Sequence, residues 1–166
     1  EFRLLGFEAL RRERDGQPGV KETALVLLLG EIGALRAGSP IVRIHSQCAT
    51  GDIFHSLRCN CHDQLHLALD TIAAERAGML IYEHQEGRGI GLLEKLRAYA
   101  LQDEDFDTME ANLQLGHPVD LRDYALPVEI LKWFRISSIR LMTNNPEKIR
   151  AVTTSGITIC ERLSAS

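Results

Sequence analysis

Three of the four cysteines in the chain fall within fourteen residues, in CATGDIFHSLRCNC from Cys48 to Cys61. Their spacing is C-x10-C-x-C. A disulfide between Cys59 and Cys61 would be badly strained, because alternate residues of a strand or turn rarely reach the required geometry. As plain core residues the thiols would sit poorly among Asp52, His55, Arg58, Asn60 and His62. Three soft thiolates suit Zn²⁺, which keeps them deprotonated and close together. A short helix between them spans only ~10 Å at 1.5 Å per residue, so Cys48, Cys59 and Cys61 can fold back onto one ion. Three protein ligands leave a fourth position for water, the catalytic arrangement. Completion by His62 or His55 would instead make a closed, structural zinc, and a cluster with no metal is the third reading. Cys160, on the last strand, reads as an inert core thiol.

Three further stretches carry chemistry. IYEHQEGRGIGLL, Ile81 to Leu93, is a strand, a glycine-rich turn and a helix start. Gly87, Gly89 and Gly91 allow backbone amides to approach an anion at a helix amino terminus, although a tight connecting turn needs the same glycines. Glu86 and Arg88 flank Gly87; a carboxylate can accept from a guanine-type N–H edge and a guanidinium can reach phosphate. In LMTNNPEK, a strand ends at Thr143, Asn145 caps, Pro146 opens a helix, and Lys148 lies in its first turn. A lysine there opposes the helix dipole unless an anion lies between them; a solvated lysine is the bland alternative. HPVDLRDYAL reads as another helix start, with Asp120 as cap and Arg122 in the first turn, either a surface ion pair or a working one.

The elements that must position these residues come from the rest of the chain. EFRLLGFEAL and TALVLLLGEI read as an antiparallel pair around an exposed loop, residues 11–22, and SPIVRIHS as a third strand with period-two alternation. Helices are expected over GDIFHSL, DQLHLALDTIAAERAG, GLLEKLRAYALQ, around DTMEANLQL and over DLRDYALPVEILKWF, with strands at MLIYEH, SIRLMT and ITICERL. The chain of 166 residues is one domain, 1–166, of α+β or mixed α/β class: antiparallel strands first, β-α alternation later, helices flanking a mixed sheet. A net charge of −4 argues against a broad nucleic-acid surface, and no apolar run approaches a membrane span. Fifteen arginines against four lysines fit recognition of phosphate or carboxylate, though codon bias gives the same imbalance. No secretory signal is present and cysteines are few, so a reducing cytoplasm is expected; the termini read as trimmed.

Taken together, RIHSQCATGDIFHSLRCNC, HQEGRGIGL, RAYALQD, DTMEAN, PVDLRDY and LMTNNPEK resemble, in order and spacing, the blocks of the GTP cyclohydrolase II family of riboflavin biosynthesis. The resemblance runs from about Leu5 to Arg162. It implies one zinc per subunit on Cys48, Cys59 and Cys61, and contacts to GTP from Arg43, Ile44, His45, Ser46, Gln47, Gln64, Glu86, Gly87, Arg88, Thr108, Thr143 and Lys148. It implies Asp120 as proton acceptor and Arg122 as nucleophile, Mg²⁺ with the triphosphate, and a homodimer. The reaction implied is hydrolysis of GTP with loss of formate and diphosphate, leaving 2,5-diamino-6-ribosylamino-4(3H)-pyrimidinone 5′-phosphate. A paralogue that keeps the formyl group or serves a specialised pathway, and a zinc-stapled module that only binds GTP, are the rivals.

Chemistry favours this division of labour. Ring opening needs water at guanine C8, and diphosphate loss needs charge neutralisation at the α-phosphate. Tyr99, in RAYAL, is a candidate for proton transfer or water positioning at the base. A guanidinium with a pKa above 12 is ordinarily no nucleophile, so either Asp120 takes its proton in the transition state or Arg122 only clamps phosphate. Gln47 stands where the family usually has Glu, Asn60 where Asp is usual, and His62 where a small residue is common. The first two remove negative charge beside zinc ligands.

Overall fold

The computed structural model describes residues 1–10, 21–103 and 120–166. Among them are strands β1 (Arg3–Leu10), β2 (Lys21–Leu29), β3 (Ile41–Ser46), β4 (Gly78–Glu83), β5 (Ser138–Met142) and β6 (Thr158–Leu163). The helices are α1 (Ile32–Ala37), α2 (Ala49–Asp52), α3 (Cys61–Glu75), α4 (Leu92–Gln102), α5 (Ala125–Trp133) and α6 (Pro146–Thr154), with a 3-10 turn at Glu86–Gly89. The strands form one mixed sheet in the order β1-β2-β4-β3-β5-β6. β1 and β2 pair antiparallel, β2 is antiparallel to β4, and β4, β3, β5 and β6 run parallel.

The sheet's two faces are separated by the period-two geometry of its strands. Ala24, Val26 and Leu28 of β2, Val42 and Ile44 of β3, and Met79 and Ile81 of β4 point to one face. There they meet Leu35 of α1, Leu126, Ile130 and Leu131 of α5, and Val152 of α6 in the main core. Ile41 and Leu80 point the other way and meet Ala68 and Ile72 of α3. The same alternation sends Arg43 and His45 to the α3 side, which decides where their charges act.

β3 is the topological hinge. The chain leaves it for β4 on one side and later returns as β5 on the other. β3 and β5 pair only at Ile41–Arg140 and Val42–Leu141. Beyond those two pairs the carboxyl ends separate, and such a reversal point is where open α/β sheets leave a crevice for ligands.

Several expectations are corrected. Lys21 and Glu22 belong to β2 rather than to the loop, whose remaining residues, 11–20, lie outside the described residues. So do the helix expected around 107–115 and Thr108. The helix expected from Asp120 starts at Ala125, with Tyr124 before its first turn. Pro127 therefore falls in that first turn, where no backbone N–H is required, and breaks nothing. The residues before it are held non-helical by Leu121 N–H donating to Arg88 O (2.9 Å) and by Gln85 gripping Asp123. Cys160 is exposed, not a core thiol, because it sits on the outer face of the edge strand β6. The helix near Cys48 starts at Ala49, two residues earlier than expected.

Candidate active site

The sulfur atoms of Cys48, Cys59 and Cys61 lie within 4.8 Å of one another, with Cys48 and Cys59 at 3.5 Å. Cys48 leads into α2, and Cys61 is the first residue of α3, so a loop of about two turns' reach brings the three together. Gly51 makes the cradle possible. A Cβ at this position would sit 2.9 Å from Cys59 Sγ, 3.0 Å from Cys61 Cβ and 3.1 Å from Cys48 Sγ, so any side chain would displace the sulfurs.

Sulfurs so close cannot all be anionic without a cation. Cys48 is drawn down to about 4, first by the hydrogen bond from the Cys61 thiol and then, against the cost of burial, by Lys95 and Thr50. Cys61 is pushed far up by that same bond, by burial and by its neighbours' charge. Four-coordinate zinc with bonds of ~2.3 Å separates its sulfurs by about 3.8 Å, close to the spacing found. Donor set, spacing and glycine cradle fit one Zn²⁺. Among the described residues the cluster contains no histidine ligand: His55 and His62 stack against each other, not on the sulfurs.

Around the trio lies a cavity of about 340 Å³, lined by Ser46, Gln47, Glu86, Arg88, Tyr99 and Arg122 among others, and by all three cysteines. Of the residues expected from sequence, this cavity gathers Ser46, Gln47, Cys48, Cys59, Cys61, Glu86, Gly87, Arg88 and Arg122. Arg43, Ile44, His45, Gln64, Thr143 and Lys148 form a layer behind it. Ile44 is fully buried, and its carbonyl accepts from Lys148 Nζ at 2.7 Å. Arg43, 4% exposed, donates to Met142 O (3.1 Å) and to Gln64 Oε1 (2.8 Å), while its Nε has no partner. Lys148, also 4% exposed, is brought down to about 7 by burial first, then by Arg43 and Arg122. This layer puts two cations at the β3/β5 crevice.

Sequence reasoning missed the residues that knit the cavity wall. Lys95 Nζ donates to Cys48 Sγ (3.0 Å), Thr50 Oγ1 (2.8 Å) and Glu86 Oε1 (2.8 Å). Glu86 in turn accepts from Ala49 N–H (2.6 Å) and Gly87 N–H (3.0 Å), so both its oxygens are engaged within the protein. Lys95 could have been found: in α4 it shares a face with Ala98, Tyr99 and Gln102, a cation on an inward stripe. Asp52 was also missed. It joins His45 Nε2 (3.1 Å), Cys48 N–H (3.0 Å) and Tyr82 Oη (2.8 Å), tying β3 and β4 to the cysteine loop. Burial would raise the Asp52 carboxyl, but His45 and these donors hold it below the usual range.

Arg122 lines the same cavity, and Asp120 holds it in place. Arg122 Nε lies 2.9 Å from Asp120 Oδ1 and Nη2 lies 2.5 Å from Oδ2, a two-pronged pair, and Arg122 N–H donates to Asp120 Oδ1 at 3.0 Å. Despite burial, Asp120 holds the guanidinium charged more firmly than usual, and its own carboxyl is lowered against the same cost. Gly89 brings this segment in, for a Cβ there would sit 3.0 Å from Leu121 Cβ and 3.1 Å from its backbone carbon. The glycine-rich turn thus serves close backbone approach and positive φ at Gly87 and Gly89. Arg122 also borders a second depression of about 540 Å³ with Asp120, Tyr124, Glu147 and Arg150, so it stands at the junction of the two.

A family model described as GTP cyclohydrolase II matches residues 1–164. A GTP cyclohydrolase-2 of Hamiltonella defensa subsp. Acyrthosiphon pisum is 47% identical over 165 residues, covering 99% of this chain and 79% of that protein. One from Klebsiella pneumoniae is 46% identical over 164 residues, covering 98% and 76%. A Bacillus cereus protein named Riboflavin biosynthesis protein RibBA is 54% identical over 132 residues, 79% of this chain; the match spans only 33% of that longer relative.

Proposed function

The chain belongs to the GTP cyclohydrolase II family, and from that membership we propose that it hydrolyses GTP, opening the guanine imidazole ring with release of formate and diphosphate. The product is 2,5-diamino-6-ribosylamino-4(3H)-pyrimidinone 5′-phosphate, and the reaction is the entry to riboflavin synthesis. The observation that carries this reading is the sulfur trio opening onto a cavity that Arg122, held in a two-pronged pair by Asp120, also lines.

Cys48, Cys59 and Cys61 would hold the zinc, which when bound supplies Lewis acidity beside the purine C8. The remaining steps belong to this chain's own side chains. Glu86 and Gln47 face the base, and Lys95 neutralises sulfur charge while fixing Glu86. Tyr99, on the cavity wall with Arg58 4.8 Å from its ring centre, orients water at the base. Arg88 and Arg122 receive the phosphates, and Arg43, Gln64, Thr143 and Lys148 add positive potential and support from behind, with Ser46, His45 and the Ile44 backbone fixing the end of β3. Thr108 belongs to this proposal on family grounds. Mg²⁺ enters with the triphosphate as part of the substrate.

Asp120 orients Arg122, and on family grounds it is the residue assigned as proton acceptor. The firmly charged guanidinium supports a clamp that stabilises charge developing at the α-phosphate over attack by a neutral arginine nitrogen. A homodimer is part of the same proposal; exposed Ile53, Phe54, Leu57 and Leu93 offer apolar surface for a partner. Among the described residues no helix is long and apolar enough to cross a membrane.

Mass spectrometry of the product after incubation with GTP and Mg²⁺ tests the reading. Loss of both C8 as formate and two phosphates is expected. A product that retains the formyl group would replace this function with that of the formyl-keeping paralogue, and unchanged GTP would leave only binding.

A further inference from the structure

Glu83 ends β4, paired with Ala24 of β2 and Ser46 of β3. Strand alternation puts it on the face of Met79 and Ile81, the side covered by α5 and α6. It is 2% exposed, and its Oε2 is buried without a hydrogen-bond partner. Ser46 Oγ, beside it on the same face, is buried and unpartnered too. A carboxyl in such a place carries a desolvation cost that an apolar side chain would avoid.

Two links tie it to the phosphate side of the cavity. Glu83 Oε1 accepts from Gln85 Nε2 at 2.8 Å. That nitrogen also donates to Asp123 O (2.6 Å), while Gln85 Oε1 accepts from Asp123 N–H (2.8 Å). An acceptor at Glu83 therefore selects the amide orientation in which both bonds to Asp123, the neighbour of Arg122, can form. The second link is charge. Glu83 is faced by Lys148 of α6, by Arg122 and Tyr124 of the segment before α5, and by Glu22 of β2. Lys148 is anchored on Ile44 O, two residues before Ser46 on β3. On the GTP-cleaving reading above, we propose that Glu83 is a further positioning residue: through Gln85 it orients the segment bearing Arg122, and its ionisation weakens the hold of Arg122 and Lys148 on phosphate. Burial first, then Glu22, pushes Glu83 up to about 8 against Lys148, Gln85 and Arg122, so near pH 7 its carboxyl is neutral and leaves these cations to the substrate. Lys148 is lowered to about 7, and the two groups sense one another. Together they release two protons as pH rises through about 7 and 8; with glutamine at position 83 only Lys148 titrates, so the two proteins part above pH 8.

The test measures KM and kcat for diphosphate release from GTP by the zinc-loaded protein at pH 6.5 and pH 9. The ratio of wild-type to Glu83→Gln KM is expected near one at the lower pH and about five or more at the higher. Glu83→Ala, which removes the acceptor for Gln85, is expected to lower kcat about tenfold at both, and Glu83→Gln, which keeps that acceptor, to restore most of it. Calorimetry with the Mg²⁺ complex of inorganic diphosphate follows the same pH ratio without turnover. Wild-type protein that leaves GTP intact would remove the proposed function, yet a diphosphate affinity ratio that still opens above pH 8 would uphold Glu83. A ratio that stays constant from pH 6.5 to 9 in both measurements, or equal kcat loss in the Ala and Gln variants, overturns the proposal.

Discussion

The two walls of the cavity are built by opposite strategies. The sulfur wall comes from one short stretch of chain, with three cysteines inside fourteen residues, and its fine structure is steric: Gly51 leaves no room for a Cβ between the sulfurs. The Asp120–Arg122 wall has no regular structure of its own. It hangs from three points elsewhere, the Arg88 carbonyl and the two ends of the Gln85 amide, which accepts from Asp123 N–H (2.8 Å) and donates to Asp123 O (2.6 Å). The difference teaches where each wall is vulnerable. The sulfur wall fails when one of its own residues changes, while the arginine wall can be loosened at Gln85, in the connection after β4, without touching a reacting group.

The largest effect expected from this contrast is at the sulfurs. Cys59→Ser is expected to abolish zinc binding and formate release while GTP still binds, as read by metal analysis, a formate assay and calorimetry. Loss of formate release with zinc fully retained would separate the chemistry from the metal. Next comes the opposite wall. Arg122→Lys keeps a positive charge but loses the two-pronged geometry, and a fall of about 10²–10³-fold in diphosphate release is expected. Full diphosphate release by this variant would defeat both the clamp and the nucleophile.

Gly51→Ala sharpens the comparison by steric means alone. Its methyl group would press on two sulfurs, so zinc affinity measured by competition with a chelator is expected to fall about 10–100-fold. Wild-type affinity would show that the cradle is not tight. Gln85→Ala is the matching test on the other wall. Diphosphate release is expected to fall about tenfold with zinc content unchanged, and Gln85→Glu, which keeps the acceptor but not the donor, should recover only part of it. Equal loss of zinc in Gln85→Ala would mean that the walls are not independent.

The smallest effect is on stability. Burial first pushes Glu83 up to about 8, against the pull of Lys148 and Gln85. The folded state therefore holds a proton that the unfolded chain releases near pH ~4.3, and the stability this contributes is complete below that point and drains away as pH rises through about 8. Lys148, lowered to about 7, acts in the opposite sense only above about pH 7. Between about pH 5 and 7, urea midpoints of the wild type should therefore decline more steeply than those of Glu83→Gln. Parallel slopes would show that Glu83 is ionised throughout.

Legibility in the sequence followed distance along the chain. The sulfur trio and the strands at either end of the chain were readable because each signal is local. The sheet order was not, since alternation tells which face a residue takes and says nothing about which strand lies beside it. Lys95 reaches Cys48 across 47 positions and was hidden inside an ordinary helix pattern. Asp120 was misread as a cap because its sequence context suits one. Asp123 does the local work instead, accepting from Ala125 N–H at 2.8 Å at the head of α5, while tertiary bonds at Leu121 and Asp123 keep the preceding residues out of the helix.

The most direct test of the central claim is formate release from GTP measured as zinc is removed stepwise by chelation and then restored. The account predicts activity strictly proportional to zinc, reaching its maximum at one equivalent on the three sulfurs and returning on readdition. Formate release that persists undiminished in zinc-free protein would contradict it.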